Sequence, residues 1–167
     1  MKIFLIGLPG SGKTTLGKQL AERLNIRFVD LDTEIEKSEG ESIALIFKRF
    51  GEDHFRKAES TQLQKWANLN EDFVMATGGG APCFFDNMEV MNQSGTTIFL
   101  DVPAKEIAKR ISSQSDTRPL LLDLNFEQLK DKIEFLRSQR KPFYRKAKVI
   151  VKGSSIQISD VMNELRS

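Results

Sequence analysis

Short apolar runs alternate along this chain with longer stretches in which hydrophobic positions recur at helical spacing. The runs Ile3–Ile6, Arg27–Leu31, Phe73–Thr77, Thr97–Val102 and Val149–Val151 read as buried strands. Leu16, Leu20 and Leu24 fall one helical turn apart, with Ala21 beside them. A short helix is expected over Thr33–Ser38. Ser42 reads as the N-cap of a helix whose apolar face carries Ile43, Ile46, Phe47 and Phe50. After Gly51, a helix from Glu52 to about Ala67 shows a stripe of Phe55, Leu63 and Trp66. Another begins at Ala104, and Asn125 caps a long one with Phe126, Leu129, Ile133 and Leu136 in line. Pro142 predicts that this helix kinks or ends at Lys141, and a last helix lies near Ile156–Arg166. Strands alternating with helices predict an α/β fold with a parallel sheet. No repeat, low-complexity tract or linker interrupts the pattern, so residues 1–167 read as one domain with a real core.

The first strand runs straight into Gly7-Leu8-Pro9-Gly10-Ser11-Gly12-Lys13-Thr14, a complete G-x-x-x-x-G-K-[ST] pattern, and a helix follows. Glycines let successive backbone N–H groups curl inward around an anion. The following helix adds its free N–H groups and its positive end. Lys13 is placed to reach the β- and γ-phosphates of a nucleoside triphosphate, and Thr14 to hold Mg²⁺ through its hydroxyl. Gly10, Ser11, Gly12 and Thr15 complete the nucleotide site. An ordinary strand-to-helix turn would leave three glycines and the Lys-Thr pair without a reason.

In α/β folds ligands gather at the carboxyl ends of the strands. The second strand ends in Asp30-Leu31-Asp32, two carboxylates that share one side of an extended segment. Either they face a cation or donor near the phosphate loop, or Asp32 merely caps the next helix. The third ends in Thr77-Gly78-Gly79-Gly80, which implies a close approach to the backbone rather than a floppy turn. The fourth ends at Asp101, read as a turn residue. On the helix from Glu52, Glu59 projects into the apolar stripe and Arg56 onto its edge. This is a buried structural ion pair, or a glutamate holding an arginine rigid for an anion. His54 projects away and reads as solvated. Arg140 projects onto the centre of its helix's apolar stripe, so it should meet a carboxylate from the protein or from a substrate. Between these helices, residues 112–124 are polar and loop-like around Arg118-Pro119, the pattern of a lid whose arginine closes over a transferring phosphoryl group.

Composition narrows the partners. The hydrophobic fraction of 40% and charged fraction of 29% fit a soluble globular protein. A formal charge of +2 is too small to argue for nucleic acid. Arg110, Arg118, Arg137, Arg140 and Arg145 crowd the last third of the chain, which suits small anionic ligands at least as well. Cys83 is the only cysteine and His54 the only histidine, so neither a disulfide nor a Cys- or His-built metal cluster is expected within the chain. No leader-like segment or membrane-length apolar run is visible, and cytoplasm is the expected location.

Taken as a set, these elements resemble the shikimate kinases over nearly the whole chain. Asp30-Leu31-Asp32, Phe55-Arg56-Lys57-Ala58-Glu59, Thr77-Gly78-Gly79-Gly80, Arg118-Pro119-Leu120-Leu121 and Arg140-Lys141-Pro142-Phe143-Tyr144 look like that family's motifs, in order. The resemblance implies a P-loop fold with a five-stranded parallel sheet in the order 2-3-1-4-5, as in nucleoside monophosphate kinases, and a mobile lid. It implies ATP-dependent phosphorylation of the 3-hydroxyl of shikimate, a step toward chorismate and the aromatic amino acids. It also implies roles. Lys13 and the loop amides hold phosphate. Thr14 coordinates Mg²⁺ with Asp30 contacting it, and Asp32 binds the acceptor hydroxyls and acts as their base or only as their positioner. Arg56 and Arg140 grip the shikimate carboxylate, and Gly78, Gly79 and Gly80 pack against the ring. Arg118 meets the γ-phosphate, Arg110 stacks on adenine, and helices over about 32–60 form the substrate side. A monomer acting on small molecules, with no nucleic acid or membrane partner, is expected. The rivals are another small-molecule kinase of this fold, such as a gluconate or nucleotide kinase, a regulatory GTPase and a catalytically dead relative. The GTPase lacks support because the chain has no Asn-Lys dipeptide for reading guanine. Intact Lys13, Asp32 and Arg118 speak against a dead relative.

Overall fold

A computed structural model describes residues 1–113 and 125–167. Strands β1 (Lys2–Ile6), β2 (Arg27–Asp30), β3 (Phe73–Ala76), β4 (Thr96–Asp101) and β5 (Val149–Lys152) form one parallel sheet in the order β2-β3-β1-β4-β5. Phe4, Leu5 and Ile6 are fully buried because β1 lies mid-sheet with helices on both faces. Helices α1 (Lys13–Leu24), α2 (Leu31–Glu39), α3 (Ile43–Phe50), α4 (Glu52–Asn68), α5 (Asn87–Ser94), α6 (Ala104–Ser113) and α7 (Phe126–Tyr144) lie in the connections between strands, and α8 (Ile158–Arg166) follows β5. The parallel order therefore brings the carboxyl ends of β1, β2, β3 and β4 to one edge.

Several boundaries differ from the sequence reading, each for a local reason. β2 stops at Asp30, because its carboxylate accepts the Thr33 amide at 3.1 Å and starts α2 at Leu31. Asp30 is thus the cap, and Asp32 sits in the helix's first turn rather than on an extended segment. β3 stops at Ala76, although the Thr77 amide and hydroxyl both still donate to Leu5 O, at 3.2 and 2.9 Å. β4 ends at Asp101 and β5 runs on to Lys152, its register partner. Ser112 and Ser113 belong to α6, their hydroxyls donating back to Lys109 O and Arg110 O. The rest of the expected lid, with Arg118, lies outside the described residues.

α7 does not end at Lys141. It runs through Pro142 to Tyr144, and the Arg145 amide still donates to Lys141 O at 2.9 Å. A proline in the last turn removes only one ladder bond, so the helix tolerates it. The 3₁₀ turn Ala81–Cys83 and α5 carry too few periodic apolar positions to stand out in the sequence.

Candidate active site

Gly10 and Gly12 adopt φ of 85° and 98°, which lets the loop after β1 wrap back over its own amides. α1 starts with no side-chain cap and no acidic residue in its first turn. Its N-terminal N–H groups are left for an outside acceptor, as an anion site requires. Lys13 Nζ donates to Gly7 O at 2.7 Å and Leu8 O at 2.9 Å, so the ammonium lies across the loop. A cleft of about 460 Å³ opens over it, walled on one side by Gly10, Gly12, Lys13, Thr14 and Thr15. Asp30 and Asp32 face these residues, and Gly78 and Gly79 close the end. Ser11 is buried beneath the loop, its amide donating to Leu8 O at 3.1 Å.

Arg110 reaches the cleft from α6 and is held on three sides. Nη1 donates to Gly10 O at 3.0 Å, Nη2 to Ser154 O at 2.9 Å and Nε to Glu106 Oε1 at 3.2 Å. It therefore ties the phosphate loop to the turn after β5. Ile111, beside it on the wall, was not singled out in the sequence, where a lone isoleucine carries no signal.

The charged residues of the second half of the site are packed against the triple glycine. A Cβ on Gly78 would sit 3.1 Å from Glu59 Oε2 and 3.3 Å from Asp32 Oδ1. One on Gly79 would sit 2.7 Å from Arg140 Nη1 and 2.8 Å from Pro9 Cδ. One on Gly80 would sit 2.6 Å from Arg56 Nη2. None of the three has a positive φ, so close approach rather than backbone conformation demands glycine here. The expectation of a close approach holds, and the approaching groups include the chain's own charged side chains.

Glu59 is completely buried and gives Oε1 to Arg56 Nη1 at 2.9 Å, while Oε2 has no hydrogen-bond partner among the described residues. Burial pushes its carboxyl up from the ordinary range, against the pull of Arg56. Burial likewise raises Asp32, helped by the charge of Asp30 and opposed by Lys13. Arg140 makes no ion pair among the described residues, and its buried Nη1 has no hydrogen-bond partner there. Arg140 and Arg56 approach neighbouring glycines, Gly79 and Gly80, so both guanidiniums lie against the same turn after β3.

Two contacts were missed from sequence. Tyr144, fully buried at the end of α7, donates its hydroxyl to Gly79 O at 2.5 Å. Burial raises its pKa, so the donor keeps its proton across the working range. Asp101 is no turn residue: it is buried and accepts from Arg137 Nη2 at 2.6 Å, clasping α7 to the end of β4. His54 is partly exposed and within 3.0 Å of Glu39 Oε2, away from the cleft.

The raised carboxyls make a stability prediction. Folded Asp32 holds its proton more tightly than the unfolded chain does. Stability therefore falls as pH rises from the ordinary carboxylate range through the raised value. Asp32→Asn removes this cost. Its Tm should match the parent at low pH and exceed it toward neutrality. Melting both proteins across pH checks this, and a difference that shrinks with rising pH contradicts it.

Comparison with known proteins agrees with this geometry. The shikimate kinase family model matches residues 9–167. A shikimate kinase of Parabacteroides distasonis is 42% identical over 168 residues, covering 98% of this chain and 96% of that protein. The crystal structure of shikimate kinase from Bacteroides thetaiotaomicron superposes with a TM-score of 0.90 at 38% identity, covering 99% of this chain and 96% of that one. Shikimate kinase from Acinetobacter baumannii in complex with shikimate gives a TM-score of 0.84 at 34% identity, covering 99% and 90%. With a nucleotide-type phosphate loop, a five-stranded parallel sheet in the order β2-β3-β1-β4-β5 and matches spanning almost its full length, this chain belongs to the shikimate kinase family.

Proposed function

We propose that this chain transfers the γ-phosphoryl group of ATP to the 3-hydroxyl of shikimate, and that residues 1–167 act as one kinase unit. The observation that carries the acceptor's chemistry is the pair of guanidiniums against the adjacent Gly79 and Gly80, one of them with a buried Nη1 that meets no partner among the described residues. Such a nitrogen is costly unless a ligand satisfies it. A carboxylate does so with charge-assisted, partly bidentate contacts. Shikimate offers one carboxylate at that end and hydroxyls at the other, where Asp32 and Gly78 stand. Gluconate shares those groups, and family membership favours shikimate over it and over nucleoside monophosphates.

On this reading the loop amides, the start of α1 and Lys13 hold the triphosphate. Arg110 flanks the nucleotide end, and Arg118 carries the lid arginine's role. Thr14 and Asp30 on the cleft wall fit Mg²⁺, which takes few protein oxygens beside phosphate and water. Mg²⁺ held by them would neutralise charge on the phosphates. Asp32 accepts the hydrogen bond of the attacking hydroxyl and orients it. Phosphoryl transfer through a loose transition state needs little early deprotonation, so orientation dominates and the proton passes late. The raised pKa suits Asp32 to take it then. Asp32→Asn should therefore lose turnover even as it gains stability. Helices α2 and α3 with the first turns of α4 form the acceptor side. The same reading makes the enzyme a cytoplasmic monomer acting on small molecules.

ADP release measured with shikimate, quinate, gluconate and nucleoside monophosphates tests the assignment. Shikimate should give by far the highest kcat/KM. A higher value with gluconate or a nucleotide would overturn it.

A further inference from the structure

Five groups surround the Arg56 guanidinium, and two of them, Glu52 and Phe84, lie outside the motifs named above. Nη1 donates to Glu59 Oε1 at 2.9 Å, and Nε to Glu52 Oε1 at 3.5 Å. Gly80 approaches so closely that a Cβ there would lie 2.6 Å from Nη2. The Phe55 ring centroid lies 5.1 Å from the guanidinium carbon, and that of Phe84 only 4.2 Å, the shortest cation–ring distance among the described residues.

The turn that delivers this ring is strained. Phe84 itself is extended, with φ −118° and ψ 145°. Phe85 adopts φ 49°, a left-handed conformation that a bulky side chain rarely takes. Asn87 closes the turn, its amide donating to Phe84 O at 3.2 Å and its Nδ2 to Ala81 O at 2.9 Å. The Phe85 ring is 65% exposed and gains little burial in return. The chain thus turns one phenyl out to water and lays the other on Arg56. Strain held without a packing gain for the strained residue points to what its neighbour does.

We propose that Phe84 is a positioning residue for the acceptor carboxylate. Its ring fixes the plane of the Arg56 guanidinium and shields it from water, so that the guanidinium's remaining N–H donors meet the carboxylate in plane. The inference rests on Arg56 gripping that carboxylate. The physical basis is twofold. The ring quadrupole attracts the cation, and a flat apolar plate lowers the local dielectric, which strengthens the charge-assisted contact.

Steady-state kinetics at saturating ATP, with Tm measured alongside, tests this on Phe84→Leu, Phe84→Tyr, Phe85→Asn and Arg56→Ala. Leucine keeps bulk but has no flat ring. Phe84→Leu should raise KM for shikimate about 3- to 30-fold, with kcat and KM for ATP near parental values. Phe84→Tyr should restore KM. Phe85→Asn removes the neighbouring phenyl without touching Arg56, so its KM should not change. If Arg56→Ala raises KM and Phe84→Leu does not, Phe84 has no such role and the clamp stands. If neither changes KM, both ideas fall. A Phe84→Leu protein that loses Tm, kcat and both KM values together would make the ring merely structural. Failure of Phe84→Tyr to restore KM, or a raised KM in Phe85→Asn, would also overturn the proposal.

Discussion

Lys13→Ala will lower kcat by on the order of 10²–10³-fold while melting close to the parent. Lys13 is partly exposed and serves charge rather than packing. The Gly7 and Leu8 carbonyls that accept from Nζ can turn to water when it is gone. Its ammonium counters charge that spreads over the transferring oxygens as the phosphoryl group leaves, so the loss should fall on kcat more than on KM for ATP. A variant with parental Tm and near-parental turnover would mean that the phosphates are held elsewhere.

Arg140→Ala and Arg56→Ala should each weaken shikimate binding by about 30- to 1000-fold, corresponding to about 2–4 kcal/mol. ATP affinity should barely change in either. The two variants should differ in stability. Arg140 has no ion pair among the described residues, so its removal abandons no carboxylate. Removing Arg56 leaves Glu59 buried without its partner, which should cost about 1–3 kcal/mol of stability. Burial already biases Glu59 toward its protonated form, which limits that loss. A shikimate analogue with a carboxamide should bind the parent poorly, and Arg140→Ala should lose much of that discrimination. Titration with substrate at fixed ATP measures the binding changes, and thermal melts of the two variants measure the difference in stability. Parental binding by both variants would abolish the carboxylate clamp and make the arginines structural.

Local rules expose some features of this molecule, and geometry across distant segments hides others. The phosphate loop is legible because conformation and chemistry lie in eight consecutive residues, Gly7 to Thr14. The strands at the sheet's centre are legible because burial on both faces makes them continuously apolar, as in Ile3–Ile6. Arg56, Glu59 and Arg140 stand out because a charge at an apolar helical position violates the pattern around it. Asp101 and Arg137 do not stand out. Each looks like an ordinary surface charge, and only the crossing of α7 over β4 brings them within 2.6 Å. Tyr144 is similar: as a tyrosine near a helix end it carries no sign of its bond to Gly79, 65 residues away. The exchange of capping role between Asp30 and Asp32 turned on a single residue of strand length, a margin that periodicity does not resolve.

The three glycines after β3 bear on how such an enzyme can drift over generations. Each one is a gap shaped to a particular charged group: Gly78 to Glu59 and Asp32, Gly79 to Arg140, Gly80 to Arg56. The smallest available change, a single methyl group, would push a functional side chain out of place without altering any charge. Gly153 is different, since the nearest atom to a Cβ there is 3.5 Å away, so alanine fits. A comprehensive alanine and serine scan of the glycines should therefore be tolerated at 153 and selected against at all three positions from 78 to 80. The heritable unit is then the charged residue together with its hollow. A lineage could exchange one of these arginines for a bulkier or differently angled donor only by recutting the hollow in the same step, and that makes this end of the site slow to acquire a new acceptor.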